Sequence, residues 1–232
     1  PLAGLYFLQD LDTLSRNELL GTIAYLSKAR LMGFAGGMGG WTASLARNVD
    51  VQCNMRVEKL ECSEGGVKVS GEGFSYQAQS AILALPLTNS LKLLQAHLPE
   101  RTKQLIEKPP YASNLAVHFL LKGRWNNCAL QVLPPRGRGK VSCGLAMERA
   151  KHPGRVPDGM EAVTMYAAPA AVEQLLSTDD AEVVRLFEKE LSEWMNAKLD
   201  IMESRVSRHP LAAALCDPQA QERAAMIQEN LA

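Results

Sequence analysis

Hydrophobic positions recur at two different periods along this chain, and the changes between them mark out its elements. In "DLDTLSRNELLGTIAYLSKARL", Leu11, Leu14, Leu19, Ile23, Leu26 and Leu31 fall near helical spacing, and Ser15 with Glu18 has the form of a capping box. That predicts a helix over residues 16–28. A glycine-rich stretch, "GFAGGMGGWTASLA", leads into a short amphipathic helix over "WTASLARN", where Arg47 suits the negative end of a helix. The period then drops towards two. "VQCNMRVEKLEC" sets Met55, Val57 and Leu60 near one repeat, and "GGVKVSG" puts Val67 and Val69 on one face. "AILALP" is a continuous apolar run, as in a strand covered on both sides. Glu64, Gly65 and Gly66 supply a hairpin turn and "SGEGFS" a second bend, so the segment reads as a β-meander leading into a buried strand. Pro86 ends that strand, and a helix follows behind Thr88 or Asn89 as N-cap.

Beyond Pro109 strands dominate. "NLAVHFLLKGRW" alternates Leu115, Val117 and Phe119 on one face with Ala116, His118 and Leu120 on the other. "ALQVLPP" and "VSCGLAM" read as further strands joined by the basic turn "RGRGK"; after the loop "KHPGRVPDG", "MEAVTMYAA" is another. The stretch "STDDAEVVRLFEKELSEWMNAKL" predicts a helix. Ser177 or Thr178 caps it, Asp179, Asp180 and Glu182 crowd its positive end, and Val183, Leu186, Phe187, Leu191 and Trp194 or Met195 form its apolar stripe. The pattern predicts an α+β fold, an antiparallel or mixed sheet with covering helices plus the β-meander.

Composition narrows the function classes. With 47% hydrophobic and 22% charged residues in 232 positions, the chain can bury a sizeable core. Lys plus Arg equals Asp plus Glu at 25 each, so no net field attracts nucleic acid or an anionic membrane. Cys53, Cys62, Cys128, Cys143 and Cys216 are scattered, odd in number and without a CxxC pair, which argues against a disulfide framework and for a reducing, cytoplasmic setting. No apolar run approaches the roughly 20 residues of a membrane span.

The glycines of "GGMGGWT" invite a phosphate loop, but a Walker loop needs a lysine that is absent, and Gly37, Gly39 and Thr42 break the dinucleotide spacing GxGxxG. A flexible turn before a helix remains open on composition. His97, His118, His152 and His209 lack metal-type spacing, and His118 in an apolar strand reads as a hydrogen-bonded structural histidine, so no metal is assigned. There is no GxSxG elbow and no cysteine in an activating context. "RGRGK" reads as a solvated hairpin turn.

A composite of motifs carries more. The order "FAGGMGGWTASLA", "NMRVEKLECSEGGVKVSG", "AILALPLTNSLKLL", then "SNLAVHFLLKGRW" and "HPGRVPDGMEAVTMYAAP", resembles the flavin-containing amine oxidase superfamily, which includes protoporphyrinogen oxidase, phytoene desaturase and renalase. The resemblance covers most of residues 30–208. It implies a place within an α/β FAD-binding superfamily, with residues 1–108 as part of the FAD-binding domain, 109–208 as the substrate-binding domain, and 209–232 as a helical or poorly ordered end. It implies FAD as cofactor, Arg56 and Val57 beside the adenine, and Ala84, Leu85 and Pro86 near the adenosine. Gly36, Gly37, Met38, Gly39, Gly40, Trp41 and Leu115 become candidate substrate-lining residues.

The pyrophosphate-binding GxGxxG is expected upstream, outside this chain. The lysine that many amine oxidases carry near the flavin has no counterpart at Asn114, Leu115 or Ala116. What the resemblance implies is the central and substrate-domain part of an FAD-dependent oxidoreductase. It would dehydrogenate a small apolar or amine-containing molecule, no side chain being singled out as catalytic, and the isolated fragment would be inactive. The alternative is a non-catalytic ligand-binding or interaction domain of the same descent.

Overall fold

The computed structural model describes residues 2–30, 34, 37–94, 96, 98–107, 110–123, 125, 129–134 and 139–231. They cluster into two compact units, residues 1–38 with 111–220, and residues 39–110 with 221–232. Both expected kinds of β-structure are present in an α+β arrangement.

In the first unit, five antiparallel strands run in the order β5-β6-β7-β4-β8. They are β4 (Tyr111–Lys122), β5 (Gln131–Val132), β6 (Ser142–Met147), β7 (Met160–Ala167) and β8 (Ile201–Ala214). The alternation in β4 sorts its side chains as the sequence predicts. Leu115, Val117, Phe119 and Leu121 are buried in one cluster with Leu145, Met147, Val163 and Met165, and with Val183, Phe187 and Leu191 of helix α8 (Asp180–Met195). The short helix α6 (Glu148–Lys151) follows β6, and helix α7 (Pro169–Leu176) adds Val172 and Leu175 to the same core.

The start of α8 is fixed one residue after Thr178 and two after Ser177, the two predicted caps. Asp179 is the N-cap, its Oδ1 accepting from the Glu182 N–H at 3.0 Å. Asn196 ends the helix in the left-handed region at φ 47°, which asparagine tolerates better than most residues. On the core side of α8, buried Glu190 accepts from the Lys140 and Val141 N–H groups with Oε1 (2.7 and 3.0 Å). Its Oε2 accepts from the Ser142 N–H and hydroxyl (2.8 and 2.7 Å). A carboxylate carrying four donors fixes the helix to the entry of β6.

Strand β8 has no counterpart in the apolar pattern. It is an edge strand whose residues are mostly exposed, and it carries Pro210, which an edge accommodates. The expected boundary between residues 208 and 209 falls inside it. Helices α1 (Leu2–Phe7) and α2 (Arg16–Leu26) belong to this unit as well. Ser15 occupies the N-cap of α2 but makes no side-chain capping bond, so the expected capping box does not form. None of the α2 residues is buried.

In the second unit, β1 (Lys59–Ser63), β2 (Gly66–Gly71) and β3 (Phe74–Ala78) make the meander, paired through Cys62↔Val67 and Ser70↔Ser75. The turns fall where the glycines predict. Residues 51–58, expected as the start of the first strand, are irregular. The larger correction concerns "AILALP". Residues 80–84 form no strand, and Ile82 is 94% exposed. A continuous apolar run signals two covered faces, and among the described residues no strand lies beside this one to cover it. Helix α4 (Leu87–Leu94) starts earlier than predicted, with the Pro86 carbonyl accepting from Asn89 and Ser90, so Thr88 is a buried helical residue rather than a cap. Helix α5 (Glu100–Glu107) was not anticipated; α9 (Ala220–Leu231) runs through the end expected to be helical or poorly ordered.

Candidate functional site

The glycine stretch is not a loop for most of its length. Helix α3 (Gly37–Ala46) already contains Gly37, Gly39 and Gly40, while Gly36 lies outside the described residues. Gly37 opens the helix at φ +70°, a backbone conformation that costs an L-residue about 1–2 kcal/mol. A Cβ placed at Gly37, Gly39 or Gly40 would meet nothing within 4 Å, so these positions present bare backbone to open space. Met38 and Trp41 are 58% and 46% exposed. These positions are open to solvent.

Leu115 is placed otherwise. It is fully buried in the helix-covered core, because its parity on β4 is that of Val117 and Phe119. Residues of the opposite parity face away from the helices.

The residues expected at a nucleotide lie in the second unit. Arg56 and Val57 follow an irregular run held against β2. The Glu58 N–H donates to the Ser70 carbonyl at 2.9 Å, and a Cβ on Gly71 would lie 2.1 Å from the Arg56 carbonyl oxygen, so only glycine permits the approach. Among the described residues Val57 forms no backbone hydrogen bond. Its amide and carbonyl are therefore uncommitted, the donor and acceptor a purine edge requires, and in this respect the residues fit an adenine nucleotide. Ala84, Leu85 and Pro86 are exposed.

The other face of the five-stranded sheet carries the polar chemistry, most of which sequence reasoning missed. Ala116, buried to 4% exposure, stands opposite Ser207 on β8 and Tyr166 on β7, with Asn114 and His118 two residues away on either side along β4. His118 Nδ1 lies 3.0 Å from Thr164 Oγ1, and its Nε2 lies 3.1 Å from Ser207 Oγ. The Thr164 hydroxyl donates in turn to Glu148 Oε1 over a long 3.4 Å. Glu148 is itself paired with Lys151 and, at 3.1 Å, with Arg155. Asn114 is 9% exposed, and among the described residues its buried Oδ1 has no partner.

Burial lowers the His118 imidazole below its ordinary value of 6.5; Glu148 opposes this, and the charges of Arg205, His209 and Lys151 reinforce it. Burial also pushes the Tyr166 phenol up, helped by Glu148 and Cys143. His118 is thus the hydrogen-bonded histidine its strand predicts. The alternation of "NLAVHFLL" and "MEAVTMYA" contains the His118–Thr164 pairing once the strands are set side by side. Ser207 was missed with β8.

Cys53 and Cys62 are exposed free thiols, and Cys143 and Cys216 are also free; Cys128 and Arg136 to Arg138 of the basic turn lie outside the described residues. Among the described residues no group of three or more His, Cys, Asp or Glu is placed to hold a metal ion, and no helix is long and apolar enough to cross a membrane.

The family profile described as flavin containing amine oxidoreductase matches residues 3–222. Among solved structures, the chain is similar to a protein described as a protoporphyrinogen oxidase from Exiguobacterium sp. 255-15, at 12% identity and TM-score 0.65, over 84% of this chain and 43% of that one. It is similar to reduced UDP-galactopyranose mutase at 11% identity and TM-score 0.63, over 89% and 48% of the two chains. A putrescine oxidase double mutant aligns at 16% identity and TM-score 0.59, over 74% and 38%. At these identities the likeness is one of fold. The chain spans less than half the length of each of these three proteins. No curated protein sequence matches it.

Proposed function

We propose, from the premise that the chain belongs to the flavin containing amine oxidoreductase family, that it forms the central and substrate-binding part of an FAD-dependent oxidoreductase acting on a small apolar or amine-containing molecule. The observation that carries this reading is the family match across residues 3–222. When bound, the flavin supplies the hydride-accepting chemistry.

The chain's own residues would divide the remaining work. In the second unit, residues 39–110, the uncommitted Val57 amide and carbonyl, held in place by the close approach at Gly71, would hold the adenine edge, with Arg56 beside it. Ala84, Leu85 and Pro86 would lie along the adenosine. The bare backbone at Gly37, Gly39 and Gly40, with Met38 and Trp41, would line the substrate cavity, since residues without a Cβ let a flat ring come close. The five-stranded sheet would form the substrate-binding part, its polar face orienting the molecule and its helix-covered face keeping that platform rigid.

The testing experiment mixes the protein from its complete reading frame, loaded with FAD, with a panel of primary amines and apolar hydride donors without oxygen. Loss of the oxidised flavin absorption with at least one of them is expected. An FAD-loaded protein that no amine or apolar hydride donor reduces would contradict the reading.

A further inference from the structure

The hydrogen bonds around His118 have a fixed direction. A carboxylate only accepts, so the Thr164 hydroxyl spends its proton on Glu148 and must accept from His118 Nδ1–H. That leaves His118 Nε2 as a bare lone pair, and the bond to Ser207 is then donated by the Ser207 hydroxyl. Ser207 Oγ keeps its own lone pairs. The result is a one-way chain, Ser207 to His118 to Thr164 to Glu148, that begins beside Ala116 and ends at a carboxylate. Next to its open end lies the buried, unpartnered Asn114 Oδ1, an acceptor that a ligand N–H would satisfy.

We propose that Ser207 and His118, backed by Thr164 and Glu148, accept a proton from the protonated amine of a ligand seated over Ala116, with Asn114 Oδ1 holding another of its N–H groups. The proposal rests on the reading of this sheet as the substrate-binding part. In the step, an N–H bond of the ammonium breaks as an O–H bond forms at Ser207 Oγ. The original Ser207 O–H breaks as an N–H bond forms at His118 Nε2. The products are a neutral amine, an intact serine hydroxyl and an imidazolium; no electrons move and no co-reactant is needed. The neutral amine is the form with a free nitrogen lone pair, as oxidation of an amine demands.

The groups facing His118 set its strength as a base. Thr164 and Glu148 approach from β7 and from the helical turn after β6, and Ser207, Arg205 and His209 lie on β8, with Lys151 beside Glu148. Burial weakens this base most, the positive groups weaken it further, and Glu148 opposes both.

Nitrogen-15 NMR of the His118 ring in the full chain tests this without any flavin, so its outcome is separate from that of the flavin reading. Three results are expected. His118 shows the Nδ1–H tautomer. Benzylamine moves the Nε2 signal towards the protonated position, while benzyltrimethylammonium, with the same charge and no N–H to give, leaves it in place. S207A abolishes the benzylamine response and weakens benzylamine binding about tenfold, whereas S207T, which keeps the hydroxyl, retains both. The Nε2–H tautomer, a response to both cations or to neither, or a response that survives S207A would overturn the proposal. If S207A does not fold, the two-cation comparison in the wild type decides alone.

Discussion

At the scale of single residues, His118 is the position where burial and chemistry meet. Its imidazole is held below the ordinary 6.5, so between the folded midpoint and 6.5 the unfolded chain binds the proton more readily. Stability must therefore fall as pH drops through that interval and stay level above it. Urea melts across this range are expected to show the dependence in the wild type and a flatter one in H118Q; equal slopes would contradict it. Cys143 is the opposite kind of buried group. At 5% exposure, desolvation pushes its thiol up to about 11, whereas Cys53 and Cys62 are exposed. Alkylation of the native protein at mildly basic pH, mapped by mass spectrometry, should modify Cys53 and Cys62 and spare Cys143 until the chain is unfolded.

At the scale of elements, what the sequence reveals depends on whether an element buries a regular face. β4, β6, β7 and α8 do so, and their alternation or stripe matches the observed cluster of Leu115, Val117, Phe119, Val163, Met165 and Phe187. β8 was not legible because an exposed edge strand has no apolar face to display, and its pairing with β4 is bought by backbone bonds that leave no mark on composition. "AILALP" failed in the opposite direction: its apolar run asks for cover that the described residues do not provide. The glycines of α3 looked like a turn because helix propensity counts against them, yet Gly37 is needed for the positive φ at the start and the helix continues through Gly39 and Gly40. The candidate site was legible in part, as a set of residues proposed rather than shown to bind. The glycine surface and Val57 came from motif order, whereas Ser207, Thr164 and Glu148 depend on strand pairing that no single segment encodes.

Helix α8 allows the packing and capping contributions to be separated. F187A removes a fully buried ring from the core and should cost about 3–5 kcal/mol, while D179A removes one capping bond and should cost about 1 kcal/mol. Chemical denaturation of both variants checks the ranking, and a D179A loss as large as that of F187A would contradict it.

At the scale of the whole molecule, two units carry distinct surfaces. One is a sheet with a dry, helix-packed face and a polar face. The other is a meander unit with exposed apolar side chains at Leu45, Val49, Val51, Ile82 and Leu85. The family implies a flavin cofactor. The central claim is that the protein is a flavoprotein, and its most direct test is the visible absorption spectrum of the protein purified from its complete reading frame, with the released cofactor identified by mass. Flavin bands and stoichiometric FAD are the predicted result; a colourless protein that takes up no FAD on reconstitution would contradict the account.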